Sequence, residues 1–242
     1  MTITLLITRP ADGARRFAAG FADMGGVQVI VSPVVGIRSI SAAAHLPADG
    51  LLILASRAAV QRAQEVFVGR RNSAYCIGAE TARFATRSGI EVLGTAPTAA
   101  HLVAKMRNHP PGKPLLHLRG QHSTGAIAKH LSAAGIACDE TVVYAQIPRE
   151  LSLKAHEILQ KPFPVIMPLF SRFAARSLGD QLPAMPIAPA LVAISQGVAD
   201  AWSGPSPRLT LIAESPDGAA MHRGVADAIV AVQRLEAGPG KS

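Results

Sequence analysis

Cysteine, aromatic residues and charge are all scarce in this chain. Its 242 residues include two cysteines, and aromatic residues make up 4% and charged residues 17% of the total. No Cys-x-x-Cys pair occurs, and His117, His122 and His130 do not have the spacing of a helical metal site, so we expect no metal. We expect these histidines to be solvated or locally hydrogen-bonded, and Cys76 and Cys138 to be buried as small hydrophobic residues.

Long apolar runs and familiar catalytic motifs are absent as well. No run approaches the roughly 20 apolar residues of a membrane-spanning helix. The opening MTITLLITRP has no basic start and turns polar after Ile7, unlike a signal peptide. We therefore expect a cytoplasmic globular protein with no membrane partner. The sequence also has no nucleophile elbow, phosphate-binding loop, complete dinucleotide fingerprint or zinc-protease motif.

The charge that is present is mainly basic. Lysine and arginine number 24 against 16 acidic residues, a net charge of +8, and 18 of the 24 are arginine. A basic balance rich in arginine favours a partner with carboxylate or phosphate groups. The basic residues are dispersed and aromatic residues are few, which argues against nucleic acid as that partner. By composition alone, a merely soluble basic surface is the favoured interpretation.

Short apolar runs alternate along the chain with amphipathic stretches rich in alanine and arginine. This alternation predicts βα units, and hence an α/β fold with largely parallel sheets flanked by helices. The predicted strands are 3–9, 27–33, 50–56, 74–79, 114–120, 140–146, 163–171, 190–195 and 209–214.

Several blocks of the sequence occur twice in the same order. LLITRP aligns with LLHLRG at an offset of 110, the two serines of SRAAV and SRFAA align at 115, and YCIGAETA aligns with VAISQGVA at 117. A slowly increasing offset is expected where loops lengthen. The duplication predicts two similar α/β lobes. Taken alone, it places the boundary between them near Pro110.

Polar residues and glycines stand where strands end and helices begin. Ser56 and Ser171 occupy N-cap positions, Gly78 forms a tight turn with Thr81 in the next helical turn, and Ser195 ends a further strand. Helix N-termini at the carboxyl ends of parallel strands bind anions. Any single one of these residues can be an ordinary cap, but the repeated set predicts an anion-binding cleft between facing lobes.

These blocks together resemble the uroporphyrinogen-III synthase family. The resemblance runs from about Leu5 to about Val230, through LLITRP, LILASRAAV, AYCIGAETA, LLHLRG, AGIACDETVVYAQIP, LFSR and VAISQGVA. It implies two α/β lobes joined by a two-stranded β connector near 33–40 and 141–148. Lobe one would then comprise 1–34 and 149–242, and lobe two 35–148.

The resemblance also implies a reaction. The family closes hydroxymethylbilane, a linear tetrapyrrole with eight carboxylates, into a ring with inversion of the terminal pyrrole and loss of water. It needs no cofactor, which agrees with the missing catalytic motifs and makes orientation of a reactive ligand the main task. We expect a monomer that binds this small molecule and no nucleic acid.

Site residues follow by matching the family's motifs. Tyr144 in VVYAQ matches the tyrosine that assists departure of the hydroxyl; the alternative is a half-buried strand tyrosine without a role. The expected substrate-binding residues are Arg9, Ser56, Gly78, Thr81, Arg119, Ser171, Ser195, Gln196 and Gly197.

One segment departs from the family pattern. Many members have two threonines where this chain has Gly197 and Val198, and they have a glycine before the position of Gln196. The loss of these hydroxyl groups favours an alternative function, namely a non-catalytic two-lobed protein that binds an anion or a tetrapyrrole.

Overall fold

The computed structural model describes residues 2–41, 44–122, 125–182 and 184–237. The strands are β1 Ile3–Ile7, β2 Val27–Val31, β3 Val35–Ser39, β4 Leu51–Leu54, β5 Ser73–Ile77, β6 Glu91–Ala96, β7 Leu115–Gly120, β8 Cys138–Pro148, β9 Val165–Leu169, β10 Ala190–Ala193 and β11 Leu209–Ile212. The helices are α1 Ala11–Ala19, α2 Arg57–Val66, α3 Ala79–Arg87, α4 Ala99–Asn108, α5 Ile127–Ser132, α6 Leu153–Leu159, α7 Arg172–Gly179, α8 Gln196–Ala199 and α9 Gly218–Ala237. The predicted α/β class is confirmed.

The chain forms two compact units. Unit 1 comprises Met1–Gly36 and Ile147–Ser242, and unit 2 comprises Ile37–Gln146. Each has its own sheet, with strand order β11-β10-β9-β1-β2 in unit 1 and β3-β8-β7-β4-β5-β6 in the other. Strand β3 lies beside β8, and the backbone N–H of Ile40 donates to the carbonyl of Val143 at 2.9 Å. That these units are two lobes joined by a β connector remains a prediction.

The duplicated sequence blocks keep the same register in the two sheets. In unit 1, Leu5 of β1 pairs with Ile166 of β9, and in unit 2 the aligned residues Leu115 and Leu51 pair with each other. The next strands agree too, because the pair Leu191–Met167 in unit 1 has its aligned counterpart in the pair Ala74–Leu52 in unit 2. Strands β1, β9, β10 and β11 therefore correspond to β7, β4, β5 and β6.

Both faces of each sheet are covered by helices, which explains the continuous apolar runs. All five residues of β1 are buried, and its side chains alternate between two clusters, with Leu6 on one face and Leu5 on the other. In unit 2, Leu52 and Ile53 of β4 divide in the same way. Packing on both faces fixes each sheet, and the carboxyl ends of its parallel strands lie along the same side of the unit.

The apolar runs predict neither β3 nor β6; the family resemblance implies a strand near 33–40, where β3 lies, but nothing predicts β6. Strand β6 forms the edge of its sheet, and its burial alternates from Glu91 to a fully buried Ala96. Its sequence EVLGTA is too polar for the continuous apolar pattern that marks the central strands, and Gly94 weakens the strand pattern further. Several central strands also end two residues earlier than predicted, since their last polar residues start the following helix.

Candidate functional site

A small cavity lies in unit 2 at the carboxyl ends of its central strands. Its volume is about 200 Å³. The residues that line it are Ala55, Ser56, Ile77, Ala99, His117, Leu118, Arg119, Gly120, Ile127 and Tyr144. The cavity therefore brings together three of the predicted site residues, Ser56, Arg119 and Tyr144, among mostly apolar neighbours.

Ser56 is held in place as the N-cap of α2. Its backbone is extended, with φ −157° and ψ 160°, and its Oγ accepts a hydrogen bond from the backbone N–H of Ala59 at 3.1 Å. The N-cap prediction is confirmed. A capping serine has a fixed hydroxyl position, because the helix determines where its oxygen lies.

Tyr144 reaches the same point from β8 because of an irregularity in the sheet. Strands β7 and β8 run parallel in register until the pairing shifts between Arg119 and Gly120, which places Gly120 opposite Tyr144. The phenol ring then lies directly over Gly120, since a Cβ atom at that glycine would come within 2.7 Å of the ring atoms Cε2 and Cζ. Only a residue without a side chain fits beneath this ring.

The two hydroxyl groups meet at hydrogen-bond distance. Ser56 Oγ lies 2.9 Å from Tyr144 Oη, and either oxygen can be the donor. Ser56 Oγ already accepts a bond from Ala59, so its own proton is available to Tyr144. In that arrangement the phenolic proton of Tyr144 is free to point at a bound ligand, and a phenol that accepts one hydrogen bond is a stronger donor in the next.

Arg119 lies at the end of β7 in an ion pair. Its Nη2 donates to Glu140 Oε1 at 2.8 Å, and its Nη1 donates to the carbonyl of Gly120 at 3.2 Å. The side chain is 23% exposed. The guanidinium therefore links β7 to Glu140 of β8 and lines the same cavity as Tyr144.

His117 is the fourth polar side chain of the cavity lining. It is 3% exposed, and neither Nδ1 nor Nε2 has a hydrogen-bond partner among the described residues. Burial lowers the pKa of the imidazole to about 4, because its effect is larger than that of the Glu140 carboxylate, which raises the pKa. The imidazole is therefore neutral at physiological pH. The expectation that this histidine is solvated or locally bonded is wrong, because both faces of β7 pack against buried residues.

The other two histidines of that sequence cluster behave as expected. His130 Nδ1 lies 3.2 Å from the carbonyl oxygen of Gly125, and His122 is exposed. Both cysteines are buried as predicted, and burial raises the pKa of the thiol to about 11 in Cys76 and about 12 in Cys138. Both thiols are therefore protonated and unreactive near neutral pH.

Gly78 and Thr81 lie beside the cavity, at the start of α3. Gly78 has φ +83°, a conformation that residues with a side chain rarely adopt, and its N–H donates to the carbonyl of Ala96 at 2.8 Å. Thr81 is buried at 6% exposure. The cavity wall in this region is instead formed by Ile77, the residue before the turn.

The predicted residues of unit 1 occupy the corresponding strand ends. Ser171 caps α7 with φ −158° and ψ 153°, and its Oγ accepts from Ala174 at 3.1 Å. The guanidinium of Arg9 lies over the ring of Phe170, 4.2 Å from its centre. Arg9 and Ser171 follow adjacent strands of the sheet, so they lie at the same edge.

The segment that departs from the family pattern is the short helix α8. Ser195 precedes it without a side-chain capping bond, and Gln196 Nε2 donates to Asp200 Oδ1 at 2.8 Å. Gly197 packs against Arg172, since a Cβ atom at that glycine would lie 2.5 Å from Arg172 Nη2. An arginine side chain thus covers the position where family members have a threonine.

Comparison with known proteins identifies the family. The family model of uroporphyrinogen-III synthase HemD matches residues 15–223. The chain belongs to the uroporphyrinogen-III synthase family. No curated protein sequence matches it significantly.

Two solved structures of uroporphyrinogen-III synthases share the fold. One from Helicobacter pylori has a TM-score of 0.65 at 14% identity, with 95% of this chain and 100% of that one covered. A mutant enzyme from the extremely thermophilic bacterium Thermus thermophilus has a TM-score of 0.51 at 14% identity, with 96% and 99% covered. The predicted family is confirmed, and none of these similarities supports the alternative of a non-catalytic anion-binding protein.

Two residues of the cavity were missed by sequence reasoning. Gly120 is the last residue of β7, and a glycine at the carboxyl end of a strand is by itself a reason to examine the position. His117 gives no comparable signal, because a histidine in LLHLRG can face either side of the sheet.

Among the described residues, no group of three or more His, Cys, Asp or Glu side chains is arranged to hold a metal ion, and no helix is long and apolar enough to cross a membrane.

Proposed function

We propose that this chain catalyses the reaction of its family, the closure of hydroxymethylbilane to uroporphyrinogen III with inversion of the terminal pyrrole ring and loss of water. The observation that carries the proposal is the hydrogen bond between Ser56 and Tyr144 in the lining of a largely apolar cavity. It supplies a positioned proton donor in a chain whose sequence has no stronger catalytic motif.

Tyr144 acts on the leaving hydroxyl in this proposal. Ser56 donates to Tyr144 Oη, and the phenol donates its proton to the hydroxyl of the substrate as the carbon–oxygen bond breaks, so that water leaves. The proton that the substrate loses on ring closure returns to the phenol oxygen. The net change is the loss of one water molecule, and no cofactor takes part.

The apolar wall has a second task, which is to limit the wrong product. Without an enzyme, the activated substrate closes without inversion of its terminal ring. Ile77, Leu118 and Ile127 exclude water from the reacting end of the ligand and restrict its motion. Positioning of this kind requires shape rather than strong acids and bases.

The basic residues bind the carboxylates of the substrate in this proposal. The net charge of +8 suits a ligand with eight carboxylates, and Arg119 stands next to the catalytic pair. Backbone N–H groups after Gly78 and the residues Arg9, Ser171, Ser195, Gln196 and Gly197 are proposed as further contacts. A cytoplasmic location, a monomeric state and the absence of nucleic-acid binding stay predictions.

The test is the identity of the product. Purified protein is mixed with fresh hydroxymethylbilane, the products are oxidised, and the uroporphyrin isomers are separated. We expect isomer III to exceed isomer I. Formation of isomer I alone, at the rate seen without protein, would overturn the proposed function.

A further inference from the structure

Buried polar atoms in proteins nearly always have partners, and His117 has none among the residues that the structure describes. The residue is 3% exposed, both ring nitrogens lack hydrogen bonds, and the side chain lines the same cavity as Ser56 and Tyr144. An unpaired buried polar group destabilises the fold, so we expect a ligand to supply the missing hydrogen bond.

Unit 1 shows that the fold itself does not need a histidine here. The aligned position in β1 is Ile7, which is 0% exposed and packs in the core of its unit. The register of the two sheets places Ile7 and His117 at equivalent points, two residues before Arg9 and Arg119. A branched aliphatic side chain therefore fits this position, and the imidazole of unit 2 is a departure from it.

A neighbouring carboxylate determines which ring nitrogen of His117 carries the proton. His117 and Glu140 are paired across β7 and β8, and Nδ1 lies 4.0 Å from Glu140 Oε2. Glu140 is fixed in turn by its ion pair with Arg119. A carboxylate on this side favours the tautomer with the proton on Nδ1, which leaves the lone pair of Nε2 as the acceptor available to a ligand.

The cavity limits what that ligand group can be. Its volume of about 200 Å³ is below the roughly 300–1,000 Å³ of pockets for drug-sized molecules, so it holds one small ring. Its walls are mainly Ala55, Ile77, Ala99 and Ile127, which suit a flat apolar ring. A pyrrole has such a ring and one N–H donor, and it is the unit of the substrate.

We propose that His117 is a ligand-binding residue whose Nε2 accepts a hydrogen bond from the N–H of one pyrrole ring seated in the Ser56–Tyr144 cavity. This assignment rests on the proposed function for the choice of pyrrole. It gives the cavity two distinct tasks, since His117 fixes the ring by its nitrogen while Tyr144 acts on the hydroxyl.

Binding of a single ring tests the proposal without turnover. The probes are a pyrrole with one acetate and one propionate side chain, and a furan with the same substituents, which replaces N–H by oxygen. The furan leaves Nε2 without a donor, so we expect its Kd for the wild-type protein to be about three- to tenfold higher than that of the pyrrole. We also expect the pyrrole, and not the furan, to shift the ¹⁵N resonance of His117 Nε2.

Three variants separate this role from a structural one. His117→Ile copies Ile7 and should raise the Kd of the pyrrole about three- to tenfold, to that of the furan, with a Tm at or above the wild-type value at pH 7. His117→Gln keeps an acceptor near Nε2 and should bind the pyrrole within about twofold of the wild type. His130→Gln, a change of an exposed histidine outside the cavity, is the matched control and should bind as the wild type does.

The outcome is distinguishable from failure of the proposed function. Equal affinity of pyrrole and furan for the wild-type protein, or unchanged pyrrole binding by His117→Ile, would overturn the role of His117 even if isomer III is formed. Conversely, a pyrrole preference that His117→Ile abolishes would support the role even if no isomer III is formed, because binding is measured apart from turnover.

Discussion

The five strands of the unit 1 sheet have counterparts in the same order in unit 2, which adds β3, yet the strand ends of the two units differ in chemistry. Ser56 and Ser171 cap their helices with nearly identical geometry. In unit 2 the capping serine also meets a tyrosine from β8, on the far side of β7, and both line a cavity with a buried histidine. In unit 1 the position equivalent to that histidine is Ile7. A duplicated framework can therefore keep its caps in both copies while one copy gains a polar cavity.

The largest expected effect comes from removing the phenol. Tyr144→Phe should lower kcat for isomer III by about a hundredfold, because the proton donor to the leaving hydroxyl is lost. The fold should be unchanged, since the ring and its packing over Gly120 remain. Steady-state rates at saturating substrate measure this, with Tyr75→Phe, a change of the other tyrosine in the chain, as the matched control. An unchanged kcat would remove Tyr144 from the chemistry.

The second-largest expected effect is a loss of stability in acid that comes from unit 2. His117 is held neutral with a pKa of about 4, below its ordinary 6.5, so the unfolded chain binds the proton more readily. The stability that this difference contributes is complete above pH 6.5 and is lost as the pH falls towards 4. We expect a loss of about 2 kcal/mol by pH 5.

His117→Ile should remove this component of the pH dependence. Denaturant unfolding between pH 7 and pH 5 measures it as the difference between variant and wild type. His222 in unit 1 also has a lowered pKa, chiefly through burial, but it contributes equally to both proteins and cancels. Parallel curves for the two proteins would show that His117 is not held neutral.

A smaller effect is expected from the glycine beneath the tyrosine. Gly120→Ala places a methyl group where the Tyr144 ring lies and should displace the ring, which lowers kcat about tenfold through misalignment of the hydroxyl. Gly25→Ala is the matched control, since nothing lies within 4 Å of a Cβ there. If Gly120→Ala turns over at the wild-type rate, the phenol does not depend on that close packing.

The two capping serines provide the most direct comparison of the units and the smallest effect. Ser56→Ala and Ser171→Ala should each lower the free energy of unfolding by about 1 kcal/mol, because each removes an equivalent N-cap bond. Ser56→Ala should in addition lower kcat about fivefold, through loss of the bond to Tyr144. Ser171→Ala should act on KM and not on kcat, so an equal fall in kcat for both variants would contradict the difference between the units.

Much of the framework could be predicted from the sequence, because its causes are local or periodic. The alternation of apolar runs with amphipathic stretches predicts the α/β class, and serine before a helix predicts both caps. The aligned blocks also carry the register, since Leu5 and Leu115 hold the same place in their sheets. Strand β6 was not predicted, because an edge strand with polar and glycine residues lacks the continuous apolar pattern.

The cavity could be predicted only in part, because its decisive features are not local. The shift of pairing between β7 and β8, which places Tyr144 over Gly120, depends on two segments far apart in the chain. The isolation of His117 depends on which face of β7 it occupies and on what lies around it. A sequence shows the residue types, but the missing hydrogen bonds of a buried side chain become visible only when its neighbours are in place.

Ser56 and Tyr144 act as one unit in the proposed reaction, and a double-mutant cycle measures whether their effects depend on each other. The rate of isomer III formation is measured for the wild type, Ser56→Ala, Tyr144→Phe and the double variant. We expect Ser56→Ala to lower the rate about fivefold in the wild-type background and not at all in the Tyr144→Phe background, since the serine acts through the phenol. The same fivefold loss in both backgrounds would contradict it.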